Sequence, residues 1–328
     1  MGSAVQTTVQ LDVHIGEDDL RRSLCDDVRV GLSAAPKWLP PKWFYDDRGS
    51  KLFTQITQLA EYYPTRRERA LLSAHAQEIS QRTGARSLAE LGSGTSEKTT
   101  TLLDALVPAG LERFVPFDVS VTTLENAAWE MADRYPGIEV HAVAGDFEQH
   151  LDRLPAPRGP QLVAFLGGTL GNLLPEQRAR FLQSVAAMSA TGDSLLLGVD
   201  LVKDSRRLVA AYDDSAGVTA EFNKNVLRVM NRCLDANFDL DSFSHRAVWD
   251  PANEWMEMRL RSDRDQEVSL PAMGMVVHFG ADEEMRTEVS AKFRRAGLTQ
   301  ELTDAGFDTA AWWTDARQDY ALALAVRH

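Results

Sequence analysis

The chain is short of cysteine, of positive charge and of long apolar runs, and each shortage excludes something. Its 328 residues include two cysteines, Cys25 and Cys233, far apart in sequence. They build no disulfide framework and suit a reducing compartment, so a cytoplasmic protein is expected. Lys and Arg number 35 against 48 Asp and Glu, for a formal net charge of −13. A phosphate backbone is a poor partner for that balance, and no nucleic acid is expected. No apolar stretch approaches the ~20 residues of a membrane span, so no membrane is expected either. The opening "MGSAVQTTVQLDVHIGEDD" has no basic region followed by an apolar run, so no secretory signal is expected. Gln6 breaks the myristoylation pattern.

Catalytic signatures are also sparse. The histidines (His14, His75, His141, His150, His245, His278 and His328) form no HxH, HxxxH or HExxH, and no CxxC accompanies them. No metal site is expected. No serine sits in a GxSxG elbow, so covalent hydrolase chemistry has no foothold.

What is present is a core and a rhythm. Hydrophobic residues make up 44% of the chain, enough for one large domain or two ordinary ones. "PKWLPPKWFYDDRGS" (36–50) reads as an ordered, irregular segment. Leu52, Phe53, Ile56 and Leu59 then fall on one helical face. Thr65 and Glu68 read as a capping box opening a helix to about Ser80. From residue 88 apolar runs alternate with helix-like stretches: "SLAEL", "RFVPFDV", "IEVHAVAGDF", "QLVAFLGGTLGN" and "DSLLLGVDL". That alternation implies βαβ units and a mostly parallel sheet, which binds ligands at the carboxyl ends of its strands. Residues 201 to about 245 read as helical. "SHRAVW", "WMEMRLRS" and "EVSLPAMGMVVHF" read as antiparallel strands, a helix is expected from near 290, and two strands close the chain. The expected division is 14–62 plus 202–291 as a substrate-binding domain, and 63–201 plus 292–328 as a cofactor-binding domain.

The first turn of the sheet, "LAELGSGTSEKTTTLL" (88–103), decides the cofactor class. Against GxxxxGK followed by Ser or Thr it matches at Gly92, Lys98 and Thr99, but Glu97 replaces the second glycine. Against GxGxxG it matches at Gly92 and Gly94 and fails at the same Glu97. A carboxylate beside a phosphate costs roughly 1–4 kcal/mol, depending on screening. A cofactor without phosphate and with a cationic centre carries no such cost, and S-adenosylmethionine is one. Asp118 lies 24 residues after Gly94, where a strand-end carboxylate accepts ribose hydroxyls. Asp146 ends the third strand and suits the adenine amino group, with Phe147 covering a ring face. Taken singly, the two aspartates could be ordinary turn formers and Glu97 a first-turn acid favoured by the helix dipole. Their order on a βαβ rhythm favours the methyl donor.

Longer motifs then narrow the class. "LPPKWFYDDRGSKLFTQIT", "EYYPTR", "ELGSGTSEKT", "PFDV", "GDFE", "FLGGTLGN", "LLLGVDLVKD", "AYDDSAGVTAEFN" and "EEMRTEVSAKF" resemble the L-histidine Nα-methyltransferases of ergothioneine biosynthesis, over about residues 20–326. The resemblance implies an α/β, class I S-adenosylmethionine-dependent fold: a Rossmann-like, mostly parallel seven-stranded sheet with a second α+β domain. It implies trimethylation of the α-amino group of L-histidine to hercynine, with S-adenosylhomocysteine as by-product. Nothing in the sequence demands a partner chain, and a monomer is expected. For histidine it implies Tyr45, also the catalytic candidate, near the amino group, with Phe53 and Tyr62 lining the pocket. Asn172 and Tyr212 are implied at the carboxylate, Glu288 and Ser290 at the imidazole with Met258 beside them, and Gly167 and Thr169 on the floor. For the donor it implies Tyr62, Gly92, Lys98, Asp118, Asp146 and Phe147.

The chain departs from the family at "GGTLGN", where relatives have "GSTIGN", so that Gly168 and Leu170 differ, and at "EVSAKF", where "EVSCKF" is common. Without the resemblance, Glu288 reads as one outward residue of an alternating run, and Tyr45, Phe53, Tyr62 and Met258 as core. Other readings are an N-methyltransferase for another amino acid such as tryptophan, a non-catalytic nucleoside-binding protein, and a dehydrogenase with a degenerate fingerprint. Glu97 counts against the last, and the Glu288/Ser290 pair against the tryptophan enzyme.

Overall fold

The computed structural model describes residues 9–94, 96 and 98–328. The strands, numbered along the chain, are β1 (Val9–Val13), β2 (Ser87–Leu91), β3 (Arg113–Asp118), β4 (Glu139–Ala144), β5 (Gln161–Phe165), β6 (Ser194–Asp200), β7 (Phe243–Asp250), β8 (Trp255–Ser262), β9 (Gln266–Leu270), β10 (Met275–Phe279), β11 (Glu284–Ala291), β12 (Phe307–Thr314) and β13 (Tyr320–Arg327). The helices are α1 (Glu17–Ser33), α2 (Asp47–Ile56), α3 (Pro64–Thr83), α4 (Thr99–Leu106), α5 (Val121–Arg134), α6 (Pro175–Met188), α7 (Ser205–Tyr212), α8 (Val218–Leu234) and α9 (Arg295–Asp304). The chain packs as two compact units. Of the described residues, the first takes 9–16, 66–201 and 293–328, and the second takes 17–65 and 202–292.

The first unit is built on one sheet, in the order β1-β4-β3-β2-β5-β6-β13-β12. β1 to β6 run parallel, and β13 and β12 are antiparallel. Strand order reverses between β2 and β5, the point at which doubly wound sheets open a crevice at the carboxyl ends of their strands. β2, β5 and β6 are buried along their whole length, as strands covered on both faces must be. The sheet has eight strands where seven are expected. The extra one is β1, paired with β4 from Val9↔Val140 to Val13↔Ala144. "VQLDV" alternates apolar and polar residues as an edge strand does, and it precedes the βαβ rhythm.

α3 begins at Pro64, a residue suited to the first helical turn. The expected Thr65/Glu68 capping box gives way to a different use of Glu68. Its carboxylate accepts from Tyr320 Oη at 2.8 Å, from the Gly167 amide at 2.6 Å and from Lys98 Nζ at 2.6 Å.

The second unit carries a three-stranded antiparallel sheet, β11-β8-β7, and the hairpin β9-β10. Its core joins Phe44, Phe222, Val226, Met230, Phe243, Met256 and Leu260. The segment read as continuously helical from 201 divides into α7 and α8. α7 closes with Asp213 at its C-cap, and Asp214 serves the start of α8, its carboxylate accepting from the amides of Ala216, Val218 and Thr219. "EVSLPAMGMVVHF" is a hairpin that turns at Pro271–Met273, and the helix expected near 290 starts at Arg295 because Glu284–Ala291 is strand β11.

Candidate active site

In the first unit the donor-site candidates gather where β2, β3, β4 and β5 end. Gly92 and Gly94 have φ of +68° and +51°, the left-handed region that glycine enters without strain. A Cβ on either would meet nothing within 4 Å, so both face open space. The amides of Gly92 and Ser93 donate to the Phe117 carbonyl at 2.8 and 3.0 Å, which closes the turn onto β3. Asp118 then accepts from the Gly94 amide at 2.8 Å and from the Ser120 amide at 3.0 Å. The Val119 amide adds a third backbone contact, and of the roughly four acceptor positions of a carboxylate one is left for a ligand. Burial pushes the Asp118 carboxyl above the ordinary aspartate range, against the pull of those backbone bonds.

Polar atoms left over around this turn test the fit of a polar cofactor. Among the described residues, no protein partner lies within hydrogen-bond distance of buried Ser93 Oγ, Ser96 Oγ or Glu90 Oε2. Buried polar groups are normally satisfied, so these three atoms beside bare glycine backbone fit the amino-acid tail and ribose of S-adenosylmethionine. The expectation placed on Glu97 lies outside the described residues. Glu90 is a further carboxylate that sequence reasoning missed. It is 3% exposed, and burial pushes its carboxyl up to about 7. The available signal was an acid in the middle of the otherwise apolar run "SLAEL".

Asp146 is buried and accepts from the Glu148 amide at 2.8 Å, while its own amide donates to His150 Nδ1 at 3.0 Å. That bond requires an unprotonated Nδ1. Phe147 is half-buried, with its ring edge-on to Phe165 and Phe181 at 5.4 and 5.6 Å. Gly167, Thr169 and Asn172, expected in the histidine pocket, also belong to this unit. Thr169 and Asn172 bound a short 3-10 turn after β5. The network of Glu68 brings Gly167 to Lys98, and Glu68 has no exposed surface.

In the second unit four expected aromatics form a chain of rings. Tyr45 lies 5.6 Å from Phe53, Phe53 6.1 Å from Tyr62, and Tyr62 6.4 Å from Tyr212. Phe222, which sequence reasoning missed, packs against Tyr45 at 5.4 Å and Phe53 at 5.9 Å. Buried Asn225 holds both chain neighbours of Tyr45, the Phe44 main chain and the Asp46 side chain. Its Nδ2 donates to the Phe44 carbonyl at 3.0 Å and to Asp46 Oδ1 at 2.7 Å. Tyr45 is 44% exposed, yet its ring packs against Phe53 and Phe222, which displace water from that side. That desolvation, with the negative charge of Glu288 added, pushes its hydroxyl pKa above the usual tyrosine range.

Glu288 lies opposite Met258 across β11 and β8, and Ser290 lies opposite Met256. Directly opposed residues share a face, so Glu288, Ser290 and Met258 come together as expected positions on one side of the sheet. Ser290 also meets Tyr212, whose hydroxyl donates to Ser290 Oγ at 2.7 Å. Behind them Thr287 Oγ1 donates to Asn223 Oδ1 at 2.6 Å. Asn223 Nδ2 in turn lies 2.8 Å from His245 Nδ1, and His245 Nε2 lies 2.8 Å from the Tyr212 carbonyl. Burial holds the His245 pKa below the usual histidine value, so the ring is neutral, with its proton on Nε2.

Among the described residues no group of three or more His, Cys, Asp or Glu is placed to hold a metal. Among the same residues no helix is long and apolar enough to cross a membrane.

Comparison with known proteins agrees with this chemistry. A family model described as "Histidine-specific methyltransferase, SAM-dependent" matches residues 24–327. A histidine N-alpha-methyltransferase of Mycolicibacterium smegmatis is 54% identical over 98% of this chain and 100% of its own length. The Mycobacterium tuberculosis protein of the same name is 53% identical over 96% of this chain and 98% of its own. Ergothioneine biosynthesis protein 1 of Neurospora crassa is 28% identical over 89% of this chain, which spans 33% of that protein.

Proposed function

The chain belongs to the S-adenosylmethionine-dependent, histidine-specific methyltransferases, and from that premise we propose that it trimethylates the α-amino group of L-histidine to hercynine, the first step of ergothioneine biosynthesis. One observation carries the reading: 54% identity to a histidine N-alpha-methyltransferase along that protein's entire length. The second unit supports it, with an acid, a hydroxyl and a ring of aromatics on shared ground.

S-adenosylmethionine supplies an electrophilic methyl group on a sulfonium. Asp118 would hold the ribose, Asp146 the adenine amino group with Phe147 against a ring face, and Gly92 and Gly94 would leave their backbone open beside the tail. Displacement at a methyl group is in-line, so the amine lone pair has to come within about 3–3.5 Å of the carbon. We assign the imidazole to Glu288 and Ser290, with Met258 beside it, and the carboxylate to Asn172 and Tyr212.

Tyr45 is a neutral partner of the amine rather than its base, because its raised pKa keeps the phenol protonated at neutral pH. The amine proton therefore leaves through water. The rings of Tyr45, Phe53, Tyr62 and Tyr212 suit the growing cation, at roughly 0.5–2 kcal/mol each. The quaternary product has no lone pair, so the sequence of transfers ends by itself. The two free cysteines, Cys25 and Cys233, suit a cytoplasmic enzyme. We read the working unit as a monomer.

The test is mass spectrometry of a reaction with isotopically labelled methyl donor and a panel of free amino acids. A gain of three methyl groups on histidine alone is expected. Transfer to tryptophan in preference to histidine, or no transfer, overturns the reading.

A further inference from the structure

Glu288, Ser290 and Lys292 follow one another at intervals of two along and just past β11. Residues at that spacing share a face of a strand. Lys292 is 4% exposed, an unusual burial for an ammonium group. Its Nζ donates to Ser290 Oγ at 2.8 Å and to Tyr212 Oη at 2.8 Å. Tyr212 Oη also donates to Ser290 Oγ, at 2.7 Å, closing a triangle of three buried side chains. None of this was legible in the sequence, where Lys292 is one lysine of "AKF".

The hydrogen-bond capacity of these groups sets a direction. A lysine ammonium has three donors and no acceptor; a serine hydroxyl has one proton and two lone pairs. Ser290 accepts from Lys292 and from Tyr212, so both its lone pairs are filled. In the free site its next partner therefore has to accept its proton. A carboxylate arriving at Tyr212 would draw the tyrosine proton away; Lys292 would still donate to Ser290, and an ammonium on that oxygen disfavours a second donor and strengthens the hydroxyl as a donor toward the ring.

We infer that Lys292 is a specificity-determining positioning residue, which fixes Ser290 as a hydrogen-bond donor and so matches the Glu288/Ser290 pair to a neutral imidazole. The inference rests on the histidine reading above. Glu288 accepts from the nitrogen that bears a proton, and Ser290 donates to the one that does not. An indole has no bare nitrogen, and an imidazolium has two N–H groups, one of which would oppose the Ser290 proton. A mismatched buried polar pair is far costlier than a matched pair is favourable, which makes the arrangement selective.

Two measurements test it. The first compares wild type with Lys292→Met, Ser290→Ala and the double variant, in histidine kinetics and in calorimetric binding of S-adenosylhomocysteine. Lys292→Met is expected to raise KM for histidine about tenfold or more while kcat changes less than about threefold, with product affinity retained. In the Ser290→Ala background the same replacement is expected to add less than about twofold, because both changes remove one interaction. Losses that multiply, or an unchanged KM, overturn the inference.

The second uses wild type alone, so it stands even if Lys292→Met does not fold. Histidine affinity is expected to hold between pH 7 and 8.5. Below about pH 6.5, where the free side chain takes up its second proton, it should fall about tenfold per pH unit. The titratable groups gathered around Ser290 and Tyr45 are Glu288, Tyr212 and Lys292. Affinity that holds or rises toward pH 5.5 overturns the inference. Absence of any histidine methylation by wild type would instead remove the functional reading itself.

Discussion

Lys98 Nζ lies 2.6 Å from Glu68 Oε2, and the glutamate has no exposed surface. The other Glu68 oxygen takes the Tyr320 hydroxyl and the Gly167 amide. Glu68 thus ties α3, the turn after β5 and the last strand to the lysine that follows the glycine turn. Glu68→Ala would strand a cation, a hydroxyl and an amide. A loss of about 3 kcal/mol or more is expected in urea unfolding, with Glu68→Gln costing less. A loss below about 1 kcal/mol for the alanine variant would show that the network is not structural.

Glu90 gives a pH dependence with a definite sign. Its folded pKa is raised from 4.5 to about 7 by burial. The folded chain therefore holds this proton more tightly than the unfolded chain. The corresponding stability is complete below pH 4.5 and is lost as pH rises through about 7. Above that, the buried anion costs on the order of 3 kcal/mol. Glu90→Gln is expected to unfold at higher denaturant than wild type at pH 8 and at the same denaturant at pH 4.5. Equal differences at the two pH values would contradict it.

Asp118, proposed to hold the donor's ribose, fixes the glycine turn through the amides of Gly94 and Ser120. Asp118→Ala is expected to weaken S-adenosylhomocysteine binding by roughly 10- to 150-fold, the value of charge-assisted hydrogen bonds. Isothermal titration reads this directly, and unchanged affinity would remove the ribose contact.

Glu288→Ala separates substrate from donor. Histidine affinity is expected to drop by roughly 10- to 150-fold while S-adenosylhomocysteine binds within about twofold of wild type. Equal loss of both affinities in calorimetry would refute the assigned role.

The parallel half of the large sheet was legible because each strand is an apolar run closed by a glycine or an aspartate. The chemistry of the methyl donor was legible from Gly92, Gly94 and Asp118 at their spacing. What escaped depends on contacts distant in sequence. Glu68 looks like a capping residue until Tyr320, which follows it by most of the chain, arrives beside it. Asn225 and Phe222 read as one polar and one core position of an amphipathic helix, and only the packing of α8 against the Pro41–Phe44 turn shows what they hold. The alternation of "EMRTEVSA" was visible, but the run stands just before α9, and the helix was expected from near 290 rather than from Arg295.

The sheet order has a bearing on synthesis. β6 is buried along its full length, and its neighbour on one side is β13, paired from Tyr320↔Asp200 to Val326↔Ser194. A ribosome adding about 5–20 residues each second needs on the order of ten seconds to travel from one strand to the other. Throughout that interval "SLLLGVD" has a bare flank ready to pair with any extended peptide nearby. The nascent chain is most open to aggregation then, and chaperone demand should ease once β13 has emerged and paired with β6.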